Sequence, residues 1–186
     1  MRRPDGIRGA CFYQKHARQG VPERVRRITI PGEPEPYLVI DDRESLLSLV
    51  HFGVIELHVR GARADALDKP DTIVLDLDPA PDVPWSRVVK TAIALRDQLD
   101  ALGLAAFLRS TGGKGLHVVS PLVRRASWDD VKAFTHGLAQ ALAQRDPKRF
   151  TARMAKAQRA GKIFIDYLRN TTQATAVASW SVRAHE

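Results

Sequence analysis

Apolar positions change their period several times along the chain, and each change marks an element. Residues 84–102 carry Val88, Ala92, Leu95, Leu99 and Leu102 at alternating spacings of four and three, the repeat of one helix face. Gly103 then supplies a stop. A second helix is predicted from 127 to about 144, because Ser127 with Asp130 three residues on has the pattern of a capping box. A third covers 43–52, capped by Asp41 or Asp42, with Leu46, Leu47, Leu49 and Val50 as its apolar face and Gly53 beyond it. A basic helix is predicted over 149–159, ending at Gly161.

Short β-prone runs fill much of the rest. Strands are predicted at 24–30, 37–40, 54–59, 72–77, 105–109, 116–120 and 162–168, with one or two more over 174–184. Pro31, Pro34 and Pro36 forbid a helix between the first two. Residues 1–23, rich in Gly and Pro, read as an irregular arm. The order mixes crossover helices with hairpins. It predicts an α+β fold, a mixed and largely antiparallel central sheet flanked by helices, as a single domain over 1–186. That sheet is expected to bring 54–59, 72–77, 116–120 and 162–168 together.

Composition narrows the class. Apolar residues make up 44% of 186, enough for a sizeable core and too many for a disordered chain. The single Cys11 excludes an internal disulfide and a Cys-rich zinc site. No apolar run approaches a membrane span, and the charged start lacks the apolar stretch of a secretory signal. A cytoplasmic protein with no membrane partner is expected. The net charge of +8 sits in two blocks: residues 1–30 and 145–170 each carry +6, while 31–144 carry −4. An anionic partner is expected, nucleic acid first. Lys15, Arg24, Arg26, Arg27, Lys148, Arg149, Arg153 and Lys156 form the pool for backbone contacts to DNA.

Candidate chemistry begins with Ile73-Val74-Leu75-Asp76-Leu77-Asp78-Pro79. Side chains alternate along a strand, so Asp76 and Asp78 share a face. Two carboxylates about 7 Å apart repel each other unless a cation lies between them, and oxygen ligands of this kind suit Mg²⁺ or Mn²⁺. The second feature runs Thr111-Gly112-Gly113-Lys114-Gly115-Leu116-His117. Its glycines let backbone N–H groups approach an anion, and Thr111, Lys114 and His117 add donors. It is not a P-loop, since a strand follows instead of a helix. Asp166 in an apolar strand and His58 at a strand end are weaker single signals. A solvated strand end and a glycine hairpin remain open as plainer readings of the two main features.

Taken together, Leu75 to Pro79, Thr111 to His117 and Phe164-Ile165-Asp166-Tyr167-Leu168-Arg169-Asn170 resemble the polymerase domain of bacterial ATP-dependent DNA ligase D, of the archaeo-eukaryotic primase superfamily. Supporting strings are Ile55-Glu56-Leu57-His58, Ala174 to Ala178 and Ser181-Val182-Arg183-Ala184. The resemblance implies a primase-polymerase-like fold. It implies template-dependent or terminal nucleotidyl transfer, preferring ribonucleotides, in non-homologous end joining. Asp76, Asp78 and Asp166 would hold two divalent ions, manganese or magnesium. Thr111, Gly113, Lys114, His117, Arg169 and Arg183 would line the triphosphate, with His58 beside the metals. Partners would be DNA ends, ribo- or deoxyribonucleoside triphosphates, a DNA ligase domain and the end-binding protein Ku. The likeness also implies a chain that starts inside the family's domain and stops before its usual end. Thr111 stands where the family more often has Ser. Two other readings compete: a haloacid-dehalogenase-type phosphatase, which also uses an apolar strand ending D-x-D, and a non-catalytic basic nucleic-acid-binding module.

Overall fold

The structure, a computed structural model, describes residues 1–18 and 20–184. The chain forms two compact units, Met1–His58 with Val177–Glu186, and Val59–Ala176.

In the first unit, β1 (Arg26–Ile28) and β2 (Tyr37–Val39) make an antiparallel pair across the proline-rich turn. Helix α1 (Arg43–His51) starts at Asp42, whose carboxylate accepts the Ser45 N–H at 2.6 Å. Gly53 follows it at φ +85°, and a Cβ there would stand 2.9 Å from the Arg3 carbonyl oxygen, so both backbone and space demand glycine. Val21, Val25 and Leu49 form a small core with Leu38, Phe52 and Val54 around them. The strand expected over 54–59 shrinks to β3 (His58–Val59). The backbone before it is shared out instead of laddered: Ile55 and Glu56 donate to the Met1 carbonyl, and Leu57 donates to the Ser181 hydroxyl. This segment therefore does not join the central sheet.

The second unit is built on β4 (Thr72–Pro79). Helix α2 (Trp85–Ala101) follows, then β5 (Phe107–Ser110), β6 (Leu116–Pro121) and α3 (Trp128–Arg145). Next come β7 (Phe150–Thr151), a 3-10 turn at Lys156–Gln158, and β8 (Ile163–Asp166). The five strands lie in the order β5-β6-β4-β8-β7. Every pairing is antiparallel except β7 with β8. The fold is α+β with a mostly antiparallel sheet, as the sequence predicts, and with three helices among the described residues, one fewer than predicted.

Alternation on β4 divides the labour between faces. Ile73, Leu75 and Leu77, all 2% exposed or less, join Val88, Ala92, Leu95 and Leu99 of α2 and Val131, Leu138 and Ala139 of α3 in the main core. Each of the Val, Leu and Ile side chains among them contributes roughly 1.5–3 kcal/mol on burial. Thr72, Val74, Asp76 and Asp78 occupy the opposite face. The predicted capping box on α3 is present, Ser127 and Asp130 each accepting the other's N–H.

The basic helix expected over 149–159 does not form. Phe150 and Thr151 pair with Ile163 and Phe164 as β7, and Phe150 packs against the main core. Tertiary pairing at the sheet edge overrides the local helix preference. The extended run expected over 174–184 is reduced to β9 (Ala176–Val177), because Trp180 adopts φ 66°, which interrupts a strand.

Candidate functional site

Strand register assembles the site. Asp76 on β4 lies opposite His117 on β6 and opposite Asp166 on β8, and His117 lies opposite Arg109 on β5. Directly opposed residues point to the same face, so Arg109, His117, Asp76 and Asp166 form one row across four strands. Asp78 shares that face one pleat further along β4.

The contacts along the row are specific. Arg109 Nη2 donates to His117 Nδ1 at 3.2 Å. A guanidinium has no acceptor, so Nδ1 is the unprotonated nitrogen and the proton sits on Nε2. That Nε2 faces Asp76 Oδ2 at 3.5 Å. Arg169, in the turn after β8, spans both acids: Nη2 lies 3.2 Å from Asp76 Oδ2 and Nε lies 3.5 Å from Asp166 Oδ2. Asp78 is held by Arg159, whose Nη1 donates at 2.6 Å while Nη2 donates to the Met154 carbonyl at 2.6 Å. The Arg159 guanidinium also lies over the Phe164 ring, 4.0 Å from its centroid.

The two opposed acids titrate in opposite directions. Burial pushes the Asp76 carboxyl up, but His117 and Arg169 outweigh it and hold it below the ordinary aspartate range. Burial pushes Asp166 up, the Leu168 N–H and Arg169 pull it down, and the charges of Asp76 and Asp78 push it up again. The net result is an Asp166 carboxyl above its ordinary range.

Three carboxylates on one face supply hard oxygen donors of the kind that Mg²⁺ and Mn²⁺ take. Their mutual repulsion at Asp166 is what a cation would relieve. The donor chemistry fits a divalent ion. Among the described residues, no group of three or more His, Cys, Asp and Glu side chains is already closed around a common point. Asp78 is turned to Arg159, and Arg169 stands across the other two acids.

The glycine loop adjoins the row. A Cβ on Gly115 would stand 2.1 Å from the Leu77 carbonyl oxygen and 3.5 Å from Asp76 Oδ1, so the loop base lies directly on the acidic end of β4. Thr111 Oγ1 donates to the Gly115 carbonyl at 3.1 Å and accepts the Gly113 N–H at 3.4 Å. Gly112 has φ +67°. Lys114 is exposed.

His58 and Arg183 belong to the first unit, where both contact Glu56. Glu56 is 3% exposed; it bonds His58 Nε2, forms an ion pair with Arg183 Nη1 at 3.0 Å and takes the Ala184 N–H at 2.9 Å. Burial pushes its carboxyl up, but the Ala184 N–H, His58 and Arg183 outweigh this and hold it below the ordinary range.

The basic pool is divided. In the first unit Arg24 pairs with Asp42 and Glu44, Arg26 with Asp41 and Lys15 with Glu33, while Arg27 donates to backbone carbonyls. In the second, Arg149 pairs with Asp146 and Arg153 donates to Gln158. Lys148 and Lys156 are exposed.

Sequence reasoning missed Arg109, Arg159, Glu56 and the side-chain role of Asn170. Arg159 reaches Asp78 across 81 positions and Asn170 reaches Val74 across 96, so no local pattern marks either. Glu56 carried one clue, an acid in an otherwise apolar run two residues before His58.

Comparison with known proteins identifies the fold and the family. A polymerase domain from Mycobacterium tuberculosis ligase D, solved in complex with DNA, matches with a TM-score of 0.89 at 29% identity, over 99% of this chain and 68% of that one. The multifunctional non-homologous end joining protein LigD of Pseudomonas aeruginosa is 47% identical over all of this chain, which spans 22% of its length. The LigD of Mycolicibacterium smegmatis is 32% identical over 98% of this chain and 24% of its own length. No helix among the described residues is long and apolar enough to cross a membrane. The family model for the LigD primase-polymerase domain matches residues 1–186, so the sheet that aligns Asp76 with Asp166 is that of a LigD primase-polymerase domain, and the chain belongs to this family.

Proposed function

We propose that this chain is a nucleotidyltransferase that extends or fills DNA ends in non-homologous end joining, with a preference for ribonucleotides. The observation that carries the reading is the row of Arg109, His117, Asp76 and Asp166 across four strands, with Asp78 beside it and the glycine loop against its end. Such a site joins clustered oxygen donors to anion donors, the two things a triphosphate needs.

Asp76, Asp78 and Asp166 would hold two Mn²⁺ or Mg²⁺ ions. When bound, these would activate the attacking 3′-hydroxyl and neutralise the leaving pyrophosphate. The chain's own residues then bind and orient. Lys114 donates to the triphosphate from the loop and the Gly113 backbone lies against it, while Thr111 holds the loop's shape by accepting the Gly113 N–H and donating to the Gly115 carbonyl. His117 offers its Nε2 proton, with Arg109 fixing the tautomer. Arg169, which spans Asp76 and Asp166, contacts the triphosphate beside them. His58 and Arg183 are assigned to the nucleotide by the family resemblance alone, and in this chain both are held by Glu56.

DNA contact is supported by the relative solved with DNA and by the two basic blocks. The exposed Lys148 and Lys156 are the better suppliers, with Arg153 beside them, because Arg24, Arg26 and Arg149 already pair with acids. A ligase domain and Ku are proposed partners, following the end-joining names of the relatives, and the cytoplasm is the proposed location. Family membership favours this reading over the phosphatase and the plain binding module.

The test is primer extension on DNA ends with labelled ribonucleoside triphosphates in Mn²⁺. Addition that is lost in Asp76→Ala and Asp166→Ala supports the reading. A parent chain that adds no nucleotide under these conditions overturns it.

A further inference from the structure

Strand β8 pairs with β4 only as far as Asp166 opposite Asp76. Val74, the next residue of β4 whose backbone faces that side, meets no strand there. It meets a side chain. Asn170 Oδ1 accepts the Val74 N–H at 2.9 Å, and Asn170 Nδ2 donates to the Val74 carbonyl at 2.8 Å. One carboxamide thus does what the backbone of a strand residue would do. The same Nδ2 donates to the Tyr167 carbonyl at 2.8 Å, and the Asn170 N–H donates there at 3.1 Å. Asn170 is 1% exposed, one of the most buried polar residues of the chain.

These bonds clamp the turn 167–170 onto β4, and Arg169 lies inside that turn. Its guanidinium reaches both Asp76 and Asp166. The backbone on its C-terminal side is fixed by Asn170, and that on its N-terminal side by Leu168, whose N–H donates to Asp166 Oδ1 at 2.8 Å.

We propose that Asn170 is a positioning residue: its buried amide, by replacing a strand residue at Val74, holds the Arg169 guanidinium across Asp76 and Asp166 in the orientation that receives the nucleotide. The proposal deepens the functional reading above and rests on Arg169 as a nucleotide contact. It differs from a purely architectural role in one respect. An amide that only completes the sheet costs the same whether or not Arg169 is present; an amide that acts through Arg169 does not.

The experiment is a double-mutant cycle of Asn170→Ala with Arg169→Ala. Equilibrium binding of a fluorescent ribonucleoside triphosphate in Mn²⁺ is the first readout, and urea unfolding of the same four proteins is the second. Asn170→Ala is expected to weaken nucleotide binding about tenfold in the parent chain and less than about twofold in the Arg169→Ala background. Equal losses in both backgrounds, or no loss in the parent, overturn the proposal. Should Asn170→Ala not fold, Asn170→Ser, whose hydroxyl can still donate to the Tyr167 carbonyl, takes its place. If the parent chain binds no nucleotide, the functional reading fails by itself, and unfolding decides the role of Asn170. A loss in the folding constant at least about twofold larger with Arg169 present than without it supports positioning, and equal losses overturn it.

Discussion

Glu56 in the first unit and Asp166 in the second are both carboxylates withdrawn from water, yet their surroundings move them in opposite directions. Glu56 is one acid met by His58, Arg183 and the Ala184 N–H, and the set holds it below the ordinary glutamate range. Asp166 is pushed up chiefly by burial, shares a single guanidinium with Asp76, has Asp78 close by, and stays above the ordinary aspartate range. The partners of Glu56 outweigh its burial. Those of Asp166 do not, although Asp76 and Asp78 beside it are paired. A buried acid supplied with partners is a fastening, whereas one left raised among other acids is a place where a cation has something to gain.

The largest effect that sharpens this contrast is catalytic. In a chain active on DNA ends, Asp166→Ala should lower the rate of nucleotide addition on the order of 10²-fold or more, because charge stabilisation at the reacting centre is lost. Nucleotide affinity should fall much less, since the loop donors remain. Single-turnover rates in Mn²⁺ measure the first and equilibrium binding the second. An Asp166→Ala chain that keeps the parent rate would place the chemistry elsewhere.

Next in size is the fastening. Glu56→Ala leaves the Arg183 guanidinium, the His58 ring and the Ala184 N–H without their acceptor. The cost should be about 2 kcal/mol of unfolding free energy, read from urea denaturation. If Glu56→Ala is as stable as the parent, the centre is not a fastening and the contrast collapses.

The basic blocks give a smaller, graded effect. Removing Lys148 or Lys156 should lower the slope of log affinity for DNA against log salt by about one each. Arg24→Ala and Arg26→Ala should change it less, since those guanidinia already pair with Asp42, Glu44 and Asp41. Equal changes from both blocks would erase the ranking.

The smallest effect is a difference of sign with pH. The folded Asp76 carboxyl is lowered, so its contribution to stability is present above the unfolded aspartate range and is lost as pH falls through the folded value. The folded Asp166 carboxyl is raised. Its penalty is absent below the unfolded range and grows as pH rises, reaching its full size above the folded value. At neutral pH without divalent ions, Asp166→Asn should therefore melt above the parent and Asp76→Asn below it. Thermal melts across pH would show this. Parallel shifts in the two variants would show that the acids share one environment.

Much of this site is legible from residues alone. Asp76 and Asp78 alternate with buried Leu75 and Leu77, so a strand must present both acids together. The glycine loop precedes a strand, as its composition implies. What could not be read is the supply of positive charge. Arg169 lies 93 positions from Asp76 and Arg159 lies 81 from Asp78, and neither has a spacing that points to its partner.

The amino-acid sequence by itself determined the elements whose signals are local. α2 and α3 follow from helical periodicity and a capping box, and β4 follows from alternation. Local signals act within one or two turns of chain, where a residue's neighbours are already set. Only the tertiary structure decided that 150–151 would be a parallel edge strand, that 54–57 would spread its hydrogen bonds over Met1 and Ser181, and that an asparagine side chain would finish the ladder at Val74. In each case a backbone donor or acceptor had to find a partner somewhere, and an unpaired buried group costs more than the local preference it overrules.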